Sequence, residues 1–323
     1  MRKLVAALVG VISFAAFIGP ASAQYPNKPI RLLVPFAPGG SSEIVSRSFA
    51  AEMSKVLGQN VIVENKPGGA GNIAMVEAKG APPDGYTLIL GHIGTLAFNP
   101  AMFPKLPYDP VKDFIPVTLL AKVPSLLVVN AEKVSAKMLK EYVALAKSKP
   151  GVINYGSAGN GSSGHLAMAY LNQTAGMDTQ HVPYKGTGPM LTDLLAGRLD
   201  ATFTGAPPLM PHVRAGTLRA LAIGTAKRSP ALPDVATVAE QGYAGFETSQ
   251  WYGILAPAGT PEAIIKRLVE AAAIAAKSPS LAERLAVEAA EPQVTTPKEF
   301  ADFIAAEAKR WGPVVKQGNI KAD

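Results

Sequence analysis

Apolar positions along this chain follow two alternating rhythms. Short, nearly continuous apolar runs alternate with longer stretches in which apolar residues recur every three to four positions. The first run, IRLLVPF at 30–36, reads as a buried strand. After the loop APGGSSE, residues Ile44, Val45, Phe49, Met53, Val56 and Leu57 share one face at the 3.6-residue period. They predict a helix over 42–57, ended by Gly58. NVIVEN (60–65) is the next strand, KPGGAGN turns into a helix at 73–79, and GYTLILG (85–91) is a third strand. Strand and helix in this alternation make the unit of a parallel sheet.

The rhythm then restarts. Strands are predicted at 124–130, 152–158, 180–184, 199–205 and 218–225, with helices at 138–147, 163–174 and 189–196. Two longer segments, FIPVTLLAKVPSLLVV (114–129) and FETSQWYGILAP (246–257), can run from one half to the other. The last third is helical at 261–276, 281–289 and 297–309, with Thr260 and Thr296 expected as N-caps, each ahead of a proline. The expected organisation is a first domain of 24–119 plus 252–323 and an inserted second domain of 120–251. Two connections then form a hinge, and a cleft lies between the domains.

Composition narrows the setting. Arg2 and Lys3 precede an apolar run and then PASAQ, so residues 1–23 read as a cleaved signal peptide. The run is about 16 residues, short of the roughly 20 a spanning helix needs. There is no cysteine, which excludes a disulfide framework, a thiol nucleophile and a lipid-modified cysteine anchor. The mature protein is expected in the periplasm, soluble. Its net charge would be +5, because 31 − 2 basic residues face 24 acidic ones. No dense basic run interleaved with aromatics suggests nucleic acid.

The candidate chemistry lies on two loops. PFAPGGSSE opens the helix at 42, and YGSAGNGSSGHLA opens the helix at 163. Glycine and serine leave amides uncovered, and a helix N-terminus adds unpaired N–H groups and partial positive charge. Each loop is an anion site by construction, at the strand edge where α/β proteins bind ligands. Gly159, Gly161 and Gly164 fit G-x-G-x-x-G, but the acidic residue expected about 20 positions on is missing, so no dinucleotide cofactor is expected. No zinc-type histidine spacing occurs among His92, His165, His181 and His212. A periplasmic serine hydrolase using Ser162 or Ser163 on a carboxylate-bearing substrate is the alternative, though no G-x-S-x-G elbow exists. Tyr184 can offer its hydroxyl to the cleft and Lys185 its charge. Phe36 and Trp251 can wall it or simply pack. Glu43 suits the helix dipole or a cationic ligand group.

Together, YPNKPIRLLVPFAPGGSSEIVSR, VIVENKPGGAGNIA, PPDGYTLILG, INYGSAGNGSSGHLA and VPYKGTGPMLTDLLAGRLD resemble the extracytoplasmic solute receptors of the tripartite tricarboxylate transporter, or Bug, family. The likeness covers essentially the whole mature chain. It implies an α/β, two-domain, flytrap-like periplasmic-binding-protein fold of type II, with parallel and mixed sheets and a helical C-terminal region. It also implies a receptor that closes on a small carboxylate without cofactor, and permease subunits in the membrane, with a sensor kinase as a further partner. By match, the ligand is expected on Phe36, Ala37, Pro38, Gly39, Gly40, Ser41, Ser42, Ser157, Gly159, Asn160, Gly161, Ser162, Ser163 and Tyr184. One departure is Glu43, where the family's first loop continues to Asp.

Overall fold

In the computed structural model, residues 25–287, 289–317 and 320 are described; the segment read as a signal peptide lies outside them. Strand β1 (Ile30–Val34) forms where the first apolar run predicts it, with Arg31 alone reaching out to pair with Glu64 and Glu77 at 2.8 Å. Helix α1 (Ser41–Leu57) buries Val45, Phe49, Met53 and Leu57, the predicted face. It stops because Gly58 takes a left-handed conformation (φ +69°) and returns its amide to the Ser54 carbonyl, a conformation glycine adopts without a Cβ penalty. Strand β2 (Val61–Asn65), helix α2 (Asn72–Lys79) and strand β3 (Thr87–His92) complete the first unit. A π-type turn, Gly94–Phe98, leads into the short α3 (Asn99–Met102).

Strand β4 (Phe114–Asn130) follows, 17 residues long. The second unit is α4 (Leu139–Ser148), β5 (Asn154–Ser157), α5 (Ser163–Ala175), β6 (Gln180–Pro183), α6 (Thr187–Leu195) and β7 (Ala201–Gly205). After it come α7 (Met210–Arg214), β8 (Leu218–Ile223), β9 (Ser249–Pro257), α8 (Glu262–Ala276), α9 (Pro279–Val287), β10 (Glu291–Pro292) and α10 (Pro297–Gln317).

The strands run in the order β2-β1-β3-β9-β4-β7-β5-β6, with β8 and β10 both on β4. Each unit is a parallel trio with its first strand in the middle, β2-β1-β3 and β6-β5-β7. Antiparallel β9 and β4 join the trios. β4 pairs with β9 up to Pro124 and with β7 and β8 from Ser125 onward. On the return, the Thr248 amide donates to Gly224 in the second half, and Ser249 already pairs with Pro124. The two crossings therefore lie side by side. Both extended segments expected from the sequence exist, and the paired trios explain why the halves read alike without a sequence repeat.

Apolar layers cover both faces of each half. In the first, α1, α8 and α9 pack Phe49, Met53, Leu268 and Leu285 onto Leu32 and Val34, while Met75, Phe98, Phe300 and Trp311 cover the other face. In the second, Tyr142, Leu171 and Phe203 form one layer and Met190, Leu194 and Met210 the other. Leu166 and Tyr170 of α5 reach into the first half's core, where Tyr170 meets Trp311 edge-on at 5.6 Å.

Two terminal details differ from expectation. Thr296 caps α10 reciprocally with Glu299, a capping box. Thr260 does not cap α8: its hydroxyl donates to the Pro257 carbonyl, and Pro261 is the capping residue. Pro261 itself takes extended backbone (φ −57°, ψ 139°), so α8 starts at Glu262, one residue later than with proline in the first helical position. Helix α10 also continues past Lys309 and through Pro313, because Trp311 and Val315 are buried in the first core.

Candidate functional site

The C-terminal edges of the two parallel trios face each other. β1 runs out through residues 35–40 into α1, and β5 through 158–162 into α5. The N-termini of both helices meet one small inner cavity of ≈ 10 Å³, on the scale of a single water. Ser41 and Ser42 line it from one half; Ala158, Ser162, Ser163, Thr187 and Thr204 line it from the other. Phe36, His92, Gln250 and Tyr252 complete the wall. An outer cavity of ≈ 330 Å³ shares Phe36 and Ala158 with the inner one. Its wall includes Gly68, Gly69, Ala70, Gly71 and Phe103 on one side and Gly159, Asn160, Pro183, Tyr184 and Lys185 on the other. Its size lies in the range of small-molecule sites.

No Lys, Arg, Asp or Glu lines the inner cavity among the described residues. What it offers is neutral donors. The amides of Ser41 and Ser42, the first two of α1, have no acceptor among the described residues, nor do those of Ser163 and Gly164 at the start of α5. These are the orphan N–H groups that every helix start leaves, and Ser41, Ser42 and Ser163 among their residues line the inner cavity from the two halves. Ser162 caps α5 by accepting the His165 amide on Oγ.

The other residues expected at the site have distinct places. Ala37 donates its amide to the Lys185 carbonyl across the cleft at 3.2 Å. Pro38 and Gly39 lie against Gly188, and a Cβ on Gly188 would stand 2.4 Å from the Pro38 carbonyl oxygen. The Gly39 amide is already taken by Glu43 Oε2 at 2.7 Å, while Glu43 Oε1 accepts from Arg47. Glu43 thus closes the loop on itself. Gly40 is the N-cap residue of α1, against Thr187. Ser157 is fully buried, and its hydroxyl is held by His181 Nε2 at 2.7 Å and by Gly159. Gly161 has φ +71° and donates its amide to His165 Nδ1. Tyr184 borders the outer cavity, but its hydroxyl donates to Asp193 at 2.7 Å. Burial, with that carboxylate, pushes the phenol up to about 12. Trp251 packs inside, on Phe300 and Phe303, and donates to Glu307; it lines neither cavity.

Sequence reasoning missed His92, Thr187, Thr204, Gln250 and Tyr252 in the inner wall, and Gly68–Gly71 and Phe103 in the outer one. They come from separate strand ends and turns, with no spacing that ties them together. A signal existed for two glycine-bearing strand-to-helix junctions, the KPGGAGN loop and VPYKGTGP, which carries Thr187.

Each of the two loops lies beside a cluster of three rings that includes histidine. In the first half His92 lies between Phe36 and Tyr252; in the second, His181 lies between Tyr155 and His165. Burial pulls His92 down to about 3, and burial together with His165 pulls His181 to about 3, so both rings are neutral at ordinary pH. Gln250 ties the halves further: its Nε2 donates to Thr204 and its Oε1 accepts from Tyr252. No group of three or more His, Cys, Asp or Glu suited to a metal occurs among the described residues, and no helix among them is long and apolar enough to cross a membrane.

The family model for the tripartite tricarboxylate transporter family receptor matches residues 45–320. The protein BugT of Bordetella pertussis is 36% identical over 323 residues, 99% of each chain. The solved structure of Rpa4515 from R. palustris with adipate is 36% identical, with a TM-score of 0.89 over 92% of this chain and 99% of that one. MatC from Rhodopseudomonas palustris with bound malate is 37% identical, with a TM-score of 0.86 over 90% and 100%. The two-lobed α/β architecture is thus that of solved periplasmic binding proteins. Nothing supports the hydrolase alternative. This chain belongs to the tripartite tricarboxylate transporter receptor family, a family of periplasmic solute-binding receptors rather than enzymes.

Proposed function

We propose that this receptor holds one carboxylate group of a small ligand in the inner cavity and the body of that ligand in the outer cavity. The observation that carries the reading is the convergence of two helix N-termini, Ser41–Ser42 and Ser162–Ser163, on one uncharged pocket. A hydrogen bond to a charged partner contributes about 1.5–3 kcal/mol, so the three orphan amides at the cavity supply roughly 4.5–9 kcal/mol. Micromolar binding needs about 8 kcal/mol, and immobilising the ligand costs part of the gain. Hydroxyls of Ser41, Ser42 and Thr187 make up the difference. Phe36, at the junction of the cavities, would cover the first carbons of the ligand. Gly159, Asn160 and Tyr184 would flank its far end, beside Lys185. Adipate and malate, bound by two relatives of about the same sequence distance, are the first ligands to try.

Binding and closure are one event in this reading. The halves touch at Ala37–Lys185, at Gly39–Gly188 and at Gly94–Gly161. A ligand that contacts both loops favours this arrangement over one in which the lobes part, and the difference in affinity sets the population shift. We place the lobe boundary where β4 and β9 change partners, at 124/125 and 248/249. We further propose periplasmic residence and delivery of the ligand to the permease subunits of a tripartite transporter, following the family's description.

A melting-temperature screen with adipate, malate, citrate and benzoate tests the reading. At least one is expected to raise the melting temperature and to bind by calorimetry without being consumed. No shift with any carboxylate, or turnover of one, overturns it.

A further inference from the structure

His92 is a buried titratable group to which nothing so far gives a task. It ends β3, at the strand edge facing the cleft, and its side chain is 2% exposed. Phe36 meets the ring edge-on at 4.8 Å and Tyr252 stacks on it at 5.7 Å, so its plane is fixed from two sides. Its Nδ1 accepts the amide of Gly94 at 2.9 Å. A backbone N–H can only donate, so Nδ1 carries the lone pair. In a neutral imidazole the proton then sits on Nε2. That nitrogen has no hydrogen-bond partner among the described residues, and His92 lines the inner cavity beside Ser41 and Ser42.

The surroundings keep the ring uncharged. Among the described residues no carboxylate and no cation lines the inner cavity, and its other titratable side chain, Tyr252, is itself buried and engaged with Gln250. The Gly94 turn also does a second thing: a Cβ on Gly94 would stand 2.7 Å from the Gly161 carbonyl oxygen of the opposite loop. The turn that fixes the tautomer of His92 is therefore part of the seam between the lobes, and a shut seam leaves the N–H facing a closed pocket.

We propose that His92 is a specificity-determining residue that donates its Nε2–H, as a neutral group, to the ligand's head group in the inner cavity. This rests on the carboxylate-binding reading above. A fixed N–H beside orphan amides makes a wall of donors. It accepts a deprotonated carboxylate and turns away a head group that must itself donate, such as an ammonium or a primary amide's NH₂. No arginine is needed for that selection: the ring N–H and the orphan amides can only donate, so an ammonium meets N–H groups head to head and finds hydroxyls but no carboxylate to accept from it.

The test combines two measurements. In ¹⁵N-histidine-labelled protein, long-range ¹H–¹⁵N spectra should show His92 as the Nε2–H tautomer at neutral pH before any addition, and its Nε2 resonance should move when adipate, or malate if adipate does not bind, is added. By calorimetry with the same compound, His92→Phe, which keeps a ring between Phe36 and Tyr252, should bind about tenfold to a hundredfold more weakly, the loss of one charge-assisted hydrogen bond. His92→Gln, whose side-chain amide can donate from nearly the same place, should recover part of the loss. Melting of the unliganded variants separates affinity from the stability lost when Gly94 loses its acceptor. An Nδ1–H tautomer, or an unmoved Nε2 with wild-type affinity in His92→Phe, overturns the role of His92 while leaving the carboxylate reading intact. Failure of every carboxylate in the screen removes both.

Discussion

Replacing Gly188 by alanine separates binding from folding in one step. Gly188 is the second residue of α6, with ordinary helical backbone, so alanine suits its own helix and adds up to about 1 kcal/mol of propensity. Across the cleft, the new methyl would stand 2.4 Å from the Pro38 carbonyl oxygen and 3.6 Å from Gly39 Cα. The first distance is about 1 Å inside contact, and the obstacle is backbone rather than a side chain that can turn away. Overpacking of this kind costs about 1–3 kcal/mol. The cost falls on the arrangement in which the lobes touch and is relieved when they part. Gly188→Ala should therefore melt unliganded at or near the wild-type temperature, yet bind adipate or malate about fivefold to 150-fold more weakly by calorimetry. Small-angle scattering should show a more expanded unliganded chain. Wild-type affinity in this variant would refute the claim that binding requires the 37–39 and 186–188 segments to meet.

Other expectations follow from single groups. Burial lowers the pKa of His92 to about 3 in the fold, against 6.5 when unfolded, so between those values the unfolded state binds the extra proton and stability falls as pH falls through that window. At about pH 4.5 the wild type should have lost about 2–3 kcal/mol to this residue, and His92→Gln should show a shallower decline in denaturant melts from pH 6.5 to 4.5. A parallel decline in both proteins would count against a neutral His92. Glu43→Ala frees the Gly39 amide and removes the Arg47 pair; it should cost about 0.5–2 kcal/mol, read as a lower denaturant midpoint, since the exposed Arg47 adds little. Ser162→Ala removes the cap of α5 and a wall of the inner cavity, so stability should drop by about 1 kcal/mol and ligand affinity should fall with it. An unchanged midpoint in either variant would show that the loop does not depend on that contact.

The parts of the candidate site legible in the sequence are those whose chemistry is local. Ser41, Ser42, Ser162 and Ser163 announce themselves because a glycine-serine loop before an amphipathic run is a helix start, and a helix start has unpaired amides wherever it is placed. The β1–α1 and β5–α5 junctions, the long crossings and the repeated trio all follow from periodicity within a few dozen residues. Other residues gain meaning only from the assembled sheet. Thr187, Thr204, Gln250 and Tyr252 approach the inner cavity from α6, β7 and β9, more than 60 positions apart at the extremes. His92 carried no motif, because its partner is a backbone amide two residues on and its ring neighbours are Phe36 and Tyr252. Trp251 was ambiguous for the same reason: a strand residue faces one side or the other, and the register of β9 on β3 and β4 decides which. Glu43 read as a departure from the family; its carboxylate folds back on Gly39, a contact that sequence spacing alone does not distinguish from a ligand role.

A crystal structure of the mature receptor with adipate, or with malate if adipate does not bind, would place the ligand's head group in one cavity or the other. One carboxylate is expected between the starts of α1 and α5, within hydrogen-bonding distance of donors from Ser41 or Ser42 and from Ser163 or Gly164, with no lysine or arginine touching it. A head group held at Lys185 in the outer cavity, or neutralised by any other cation, would contradict this placement.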